Sequence, residues 1–195
     1  MANMIDKLVG KAIGWADIAD DEVELYQYAY TSSIYAVITL AGCLIVAAVL
    51  GRLLPGLLFL LLFKPLRQYA GGYHQSSYLS CLFASILAFT AVVLPSLLPL
   101  TQTVVNGLCI ATMLPAFAII RFAPMEDENK PLSENEKKVF HKRALIILAA
   151  EIFISFLLFL FPVSAVYRYF CIMPIYISAL LVFVKVVQNK VRQKQ

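Results

Sequence analysis

The sequence predicts an all-α polytopic membrane protein of about six spans, with an amphipathic interfacial helix at its start. Three observations carry that reading. Of 195 residues, 61% are hydrophobic and only 14% charged, and the mean hydropathy is +0.80. A soluble domain is nearer half apolar and a quarter charged. Apolar runs recur near 34–51, 53–63, 79–100, 103–121, 144–164 and 168–187. The basic residues gather at alternate ends of those runs, which is how topology is written in a membrane protein.

Taken in order, residues 4–16 place Ile5, Leu8, Val9, Ala12, Ile13 and Ala16 at helical spacing, with Lys7, Lys11 and Trp15 nearby. That pattern fits a helix in the headgroup region or one packed on the rest of the protein. The acids Asp6, Asp17, Asp20, Asp21, Glu22 and Glu24 rule against a secretory signal peptide in this stretch, so the first apolar run is expected to stay as a span. The second run is the exception in length. Gly51, Pro55 and Gly56 break its start, and Lys64 and Arg67 end it after about a dozen residues, too few to cross without its polar extension. Pro95, Pro99, Pro115, Pro162 and Pro174 lie within or beside later runs and predict bent helices.

Lys7 and Lys11 precede the first span, and Lys64 and Arg67 follow the second. Arg121, Lys130, Lys137, Lys138, Lys142 and Arg143 lie between the fourth and fifth; Lys185, Lys190, Arg192 and Lys194 close the chain. Six spans with both termini inside put all four groups on the cytoplasmic side. The expected organisation is one domain over residues 1–195. It comprises an amphipathic segment over 1–30, a polar motif over 64–81 and a cytoplasmic loop over 122–143. Within that loop Ser133 and Glu136 have capping-box spacing, predicting a short helix. Arg121 and Lys185 are expected to snorkel, and the 137–143 cluster to meet anionic lipid. His141 reads as a solvated loop residue.

Cys43, Cys81, Cys109 and Cys171 are far apart, with no CxxC, and the two histidines lack ligand spacing. No metal site, disulfide framework or cofactor is expected. Cys43, Cys109 and Cys171 read as small apolar fillers. Glu151, inside the fifth span, is a functional candidate by its position; it reads first as a buried partner of Arg67 or Lys185, with exposure to a water-filled cleft as the other structural reading.

The segment from Lys64 to Cys81 is polar, glycine-bearing and wedged between apolar runs. His74 and Cys81 are seven residues apart, about 10.5 Å along a straight helix and too far to share a proton. A working pair needs His74 on a turn folded back toward the helix that holds Cys81. Gly71-Gly72, with Ser76 or Ser77 as N-cap, would permit that. Cys81 in the first turn would then have its thiolate favoured by the helix dipole and an adjacent imidazolium. On residue chemistry alone, an interfacial polar anchor and an inert thiol is the commoner reading of such a pair.

The pattern Arg67-x-x-x-Gly71-Gly72-Tyr73-His74, followed at a distance by Cys81, resembles the accessory gene regulator B (AgrB) family of integral membrane cysteine endopeptidases. A second block agrees: Ala123-Pro124, then Asn129-Lys130-Pro131-Leu132-Ser133 and Glu136. The resemblance implies that Cys81 is the nucleophile and His74 the catalytic histidine. It implies that Arg67, Gly71, Gly72, Lys130 and Pro131 support the site or the substrate. The implied substrate is a small AgrD-like quorum-sensing propeptide with an amphipathic leader, cut by thioester formation and released as a thiolactone or lactone. It further implies membrane lipid contact, a homodimer and no nucleic acid. No third catalytic group stands out among Gln68, Glu126, Asp127 and Glu151. Two other classes fit the same residues: a transporter or channel subunit lined by the Arg67–His74 segment, and a noncatalytic scaffold. The absence of an internal repeat counts against the transporter.

Overall fold

The computed structural model describes residues 9–10, 23–73, 77–126 and 132–192. Among these, every regular element is helical. They are α1 (Val23–Val49), α2 (Leu53–Ala70), α3 (Tyr78–Val93), a 3-10 turn (Leu94–Leu97), α4 (Gln102–Ala111), α5 (Met113–Phe122), α6 (Glu134–Leu160) and α7 (Ala165–Arg192). Among the described residues, five stretches are long and apolar enough to cross a membrane: Tyr26–Val49, Tyr78–Leu97, Gln102–Phe122, Glu134–Leu160 and Ala165–Arg192. The chain is an all-α polytopic membrane protein.

Local sequence explains where the helices stop and bend. α1 ends in a Schellman motif: Arg52 N–H donates to Ala47 O (2.7 Å) and Gly51 N–H to Ala48 O (3.0 Å), with Gly51 at φ 67°. α2, the run that is short of apolar length, becomes an 18-residue helix by carrying Lys64 and Arg67 in its second half. Pro115 has no N–H for the Ala111 carbonyl, and α4 gives way to α5 there, at Thr112. Ser133 does form a capping box with Glu136. The helix it starts is not the short one expected, however. With no breaker after Ser133, α6 runs unbroken for 27 residues into the span.

α7 is the hub. More than half of its most apolar stretch is buried (56%), against at most 28% for the other four spans. It packs on α2, α4, α5 and α6, while α1 lies against α2 and α3. One apolar cluster joins Cys43, Phe59, Phe89, Val93 and Phe170; a second joins Leu66, Ile119, Leu148, Ile175 and Val182. Of the expected 4–16 helix only Val9 and Gly10 fall among the described residues. Both are helical, and Val9 is buried against Tyr35 and Leu82.

The end of the bundle at the α1–α2 and α6–α7 turns is tied by two arginines. Arg52 donates from Nε to Ser96 Oγ (3.3 Å) and from Nη2 to Ser96 O (2.9 Å). Arg168 is buried and donates from Nη2 to Phe161 O (2.6 Å) and from Nη1 to Asn106 Oδ1 (3.3 Å). Sequence reading gave neither residue a structural role. A groove of about 460 Å³ lined by Arg52, Pro55, Ser164 and Tyr167 opens at this end and touches no described residue of the 64–81 motif.

Candidate active site

At the other end of α2 the helix needs an exit, and Gly71 and Gly72 provide it at φ 69° and 120°, angles that side-chain-bearing residues avoid. Space forbids a side chain as well. A Cβ on Gly71 would run into the Met125 backbone, and one on Gly72 would lie 3.0 Å from the Leu181 carbonyl carbon and from Arg67 Nη1. Three backbone contacts hold this exit. Met125 N–H donates to Ala70 O (3.0 Å), Gly71 and Met125 form a parallel bridge, and Tyr73 N–H donates to Leu181 O on α7 (3.0 Å).

Arg67, in the last turn of α2, completes the clamp. Its Nη1 donates to Gly71 O and its Nη2 to Tyr73 O (2.6 Å). The planar guanidinium suits this fork; a lysine would offer one point charge. The clamp fixes the chain up to the residue before His74. His74 itself lies outside the described residues, as do Gln75 and Ser76.

The chain re-enters at Ser77, the N-cap of α3. Ser77 Oγ accepts from Ser80 N–H (3.2 Å) and donates to Ser80 Oγ (2.9 Å), and Cys81 N–H closes on Ser77 O (3.0 Å). Ser77 is therefore the cap of the two serines considered, and Cys81 is the fourth residue of the helix. Its thiol is free and half-buried. Cysteine side chains on a helix lean toward its N-terminus, which brings the sulfur over the first turn. With Ser80 and Cys81 N–H taken by Ser77, the N–H groups of Tyr78 and Leu79 are those left without an acceptor within the helix, and the dipole there favours negative charge.

The second block docks on the first. His141 Nδ1 donates to Ala123 O (2.7 Å), and because a carbonyl only accepts, Nδ1 carries the proton. His141 is thus a residue of α6 that holds the segment after α5, not the solvated loop residue expected. Phe140 packs edge-on against Tyr69, and Arg143 lies over the Tyr69 ring and donates to its hydroxyl (3.2 Å). Glu126 pairs with Lys137 (3.0 Å). Lys130, Pro131 and Asp127 lie outside the described residues.

The expected pairing of Glu151 does not occur. Glu151 is 2% exposed, and neither carboxylate oxygen has a hydrogen-bond partner among the described residues. Arg67 is committed to Gly71 and Tyr73, one helix end away. Lys185 is buried on α7 instead of snorkelling, and it makes no ion pair among the described residues. Gln68 is exposed on α2. Among the described residues no three metal-capable side chains come together.

Sequence reasoning missed Leu181, Met125 and His141. It also missed an aromatic stack beside Cys81. Tyr35 of α1 lies parallel to Tyr78 at 5.1 Å, and Tyr28 is tilted against Tyr78 at 6.4 Å. The spacing of Tyr28, Ser32 and Tyr35, one helical face, was the signal available.

The sequence model of a family described as accessory gene regulator B matches residues 2–186. AgrB-like protein 2 of Clostridium perfringens (strain 13 / Type A) is 28% identical over 166 residues, covering 80% of this chain and 77% of that protein. AgrB-like protein 1 of the same strain is 23% identical over 148 residues, 76% of this chain and 78% of its own. An AgrB-like protein of Clostridium perfringens (strain SM101 / Type A) is 27% identical over 164 residues, 80% and 77% respectively. No solved structure matches the chain.

Proposed function

The chain belongs to the accessory gene regulator B family, with a role in the accessory gene regulator system at the membrane, and from that premise we propose that it is a cysteine endopeptidase acting on a small membrane-associated propeptide. The observation that carries the reading is local. A half-buried free thiol sits on the first turn of α3, and the chain reaches that turn through an exit from α2 that Arg67 and two obligate glycines hold in place. Only residues 74–76 separate the held Tyr73 from the cap Ser77.

In this reading His74 takes the proton from Cys81 Sγ, and the thiolate attacks the scissile carbonyl. The N–H groups of Tyr78 and Leu79, which the capping by Ser77 does not use, are the donors at hand for the tetrahedral oxyanion. The carbon–nitrogen bond breaks, His74 gives its proton to the leaving amine, and the N-terminal part of the peptide remains as a thioester on Cys81. A cysteine or serine within that part can attack the thioester in turn. It would release a thiolactone or lactone and return the proton to the thiolate. A site sheltered by lipid and protein limits hydrolysis meanwhile.

The bundle end bearing Gly71 also carries Lys64, Arg121, Lys137, Lys138, Lys142, Arg143, Lys190 and Arg192, and the opposite end Arg52 and Arg168. That asymmetry supports a cytoplasmic active site with both termini inside. Engineered cysteines at Ser133 and Gln102 should label from the inner and outer faces respectively; the reverse pattern would overturn this topology. A propeptide leader lying along the same leaflet, and a homodimer, belong to the same proposal.

The activity is tested by co-expression with the candidate propeptide, comparing wild type with Cys81→Ser by mass spectrometry. A truncated or cyclised product seen only with the wild type is the expected result. An intact precursor in both, with the protein inserted, would overturn the peptidase reading. The rival transport reading draws on buried Glu151, which has no hydrogen-bond partner among the described residues; it requires Cys81→Ser to be tolerated.

A further inference from the structure

We infer that the stacked tyrosines Tyr28, Tyr35 and Tyr78 form the wall that receives the apolar side chain of the residue whose carbonyl Cys81 attacks. This rests on the peptidase reading above and extends it to substrate selection.

Tyr78 is the first residue of α3 and stands three positions before Cys81. On a helix, residues so spaced are neighbours, about 5–6 Å apart between Cβ atoms. A peptide bond over the Cys81 sulfur therefore has its acyl residue within reach of the Tyr78 ring. That ring is not free to swing. It lies parallel to Tyr35 (5.1 Å, 7° between planes), which is buried against Leu82 and Val9. Tyr28 adds a tilted ring at 6.4 Å. Tyr28 and Tyr78 remain 49% and 39% exposed, whereas Tyr35 is 7% exposed. The arrangement is a backed aromatic surface, rigid on one side and open on the other.

The chemistry of its occupant follows from what surrounds it. The residues packed around Tyr35 and Leu82 are Ile34, Ile38 and Ile86, all apolar. Rings held in advance offer large contact area at little loss of side-chain freedom, and they favour an aliphatic or aromatic partner. α1 supplies its own control. Tyr26 and Tyr30 pack together at 6.4 Å on the opposite face of the helix, with 39% and 38% exposure. They match Tyr28 in depth but turn away from α3. If tyrosines here served only as an interfacial belt, both pairs would be equivalent.

The test uses the full-length protein in lipid bilayers and two versions of the candidate propeptide. One carries an apolar residue before the scissile bond and the other glycine. Cleavage by wild type should favour the apolar version by about tenfold in kcat/KM. Tyr78→Ala and Tyr28→Ala should each raise KM for the apolar version by about fivefold and shrink the preference, with Tyr78→Phe restoring it. Tyr26→Ala and Tyr30→Ala should leave it unchanged. Equal maleimide labelling of Cys81 in all variants reports an intact site. If Tyr28→Ala and Tyr78→Ala keep the wild-type preference, the inference is overturned and the peptidase reading stands. If wild type cleaves neither version, the peptidase reading falls first.

Discussion

The two ends of the bundle use the same device for different ends. At one, Arg168 and Arg52 reach backbone carbonyls and close the turns that join spans. At the other, Arg67 reaches two carbonyls of its own exit loop. Apart from one long bond from Arg52 to the adjacent Gly51 O (3.4 Å), Arg168 and Arg52 bind residues 7 to 62 positions away, so they hold helices to one another. Arg67 binds residues 4 and 6 positions on, so it shapes a single strand of chain just before His74. The contrast separates an arginine that staples a bundle from one that sets the direction of the proposed catalytic segment, although both are guanidiniums on carbonyls.

That contrast can be broken by substitution. Arg67→Lys should have the largest effect on activity, roughly a hundredfold loss of processing with little change in thermal stability, because one ammonium cannot span both carbonyls. Equal loss of stability and activity would erase the distinction. Gly71→Ala should come next, destabilising by about 1–3 kcal/mol through a left-handed backbone angle and a collision with Met125; denaturation of the purified protein measures it. Arg168→Lys should cost about 2 kcal/mol of stability, read as a lower Tm, while processing per folded molecule stays within about twofold. Ser77→Ala should be the mildest, about 1 kcal/mol from a lost cap, with slower alkylation of Cys81 as the sharper readout.

Much of this was legible in the chain. Apolar length gave the spans, Ser133 with Glu136 gave the start of α6, and Gly71-Gly72 flagged an unusual exit before any coordinates. Those signals are local: they concern a helix and its neighbours in sequence. Hidden were the contacts that cross the bundle. Nothing in residues 67–73 says that Leu181 will accept from Tyr73, or that Met125 will lie against Gly71. Glu151 misled for a related reason. Its charge argued for a partner, but Arg67 is taken up by its own exit loop and Lys185, though buried on α7, makes no ion pair with it, which only the packing reveals. His141 was read from its basic neighbours, although the carbonyl that holds it belongs to residue 123.

The bond from Met125 to Ala70 joins two stretches that lie far apart in the chain and carry both blocks of family pattern. They therefore act as one unit in space. The bond is main chain to main chain, so what each stretch must keep is a backbone path rather than a particular set of side chains. Gly71 is the exception: its Cβ would meet the Met125 backbone, so it is the position in the pair where drift is least tolerated.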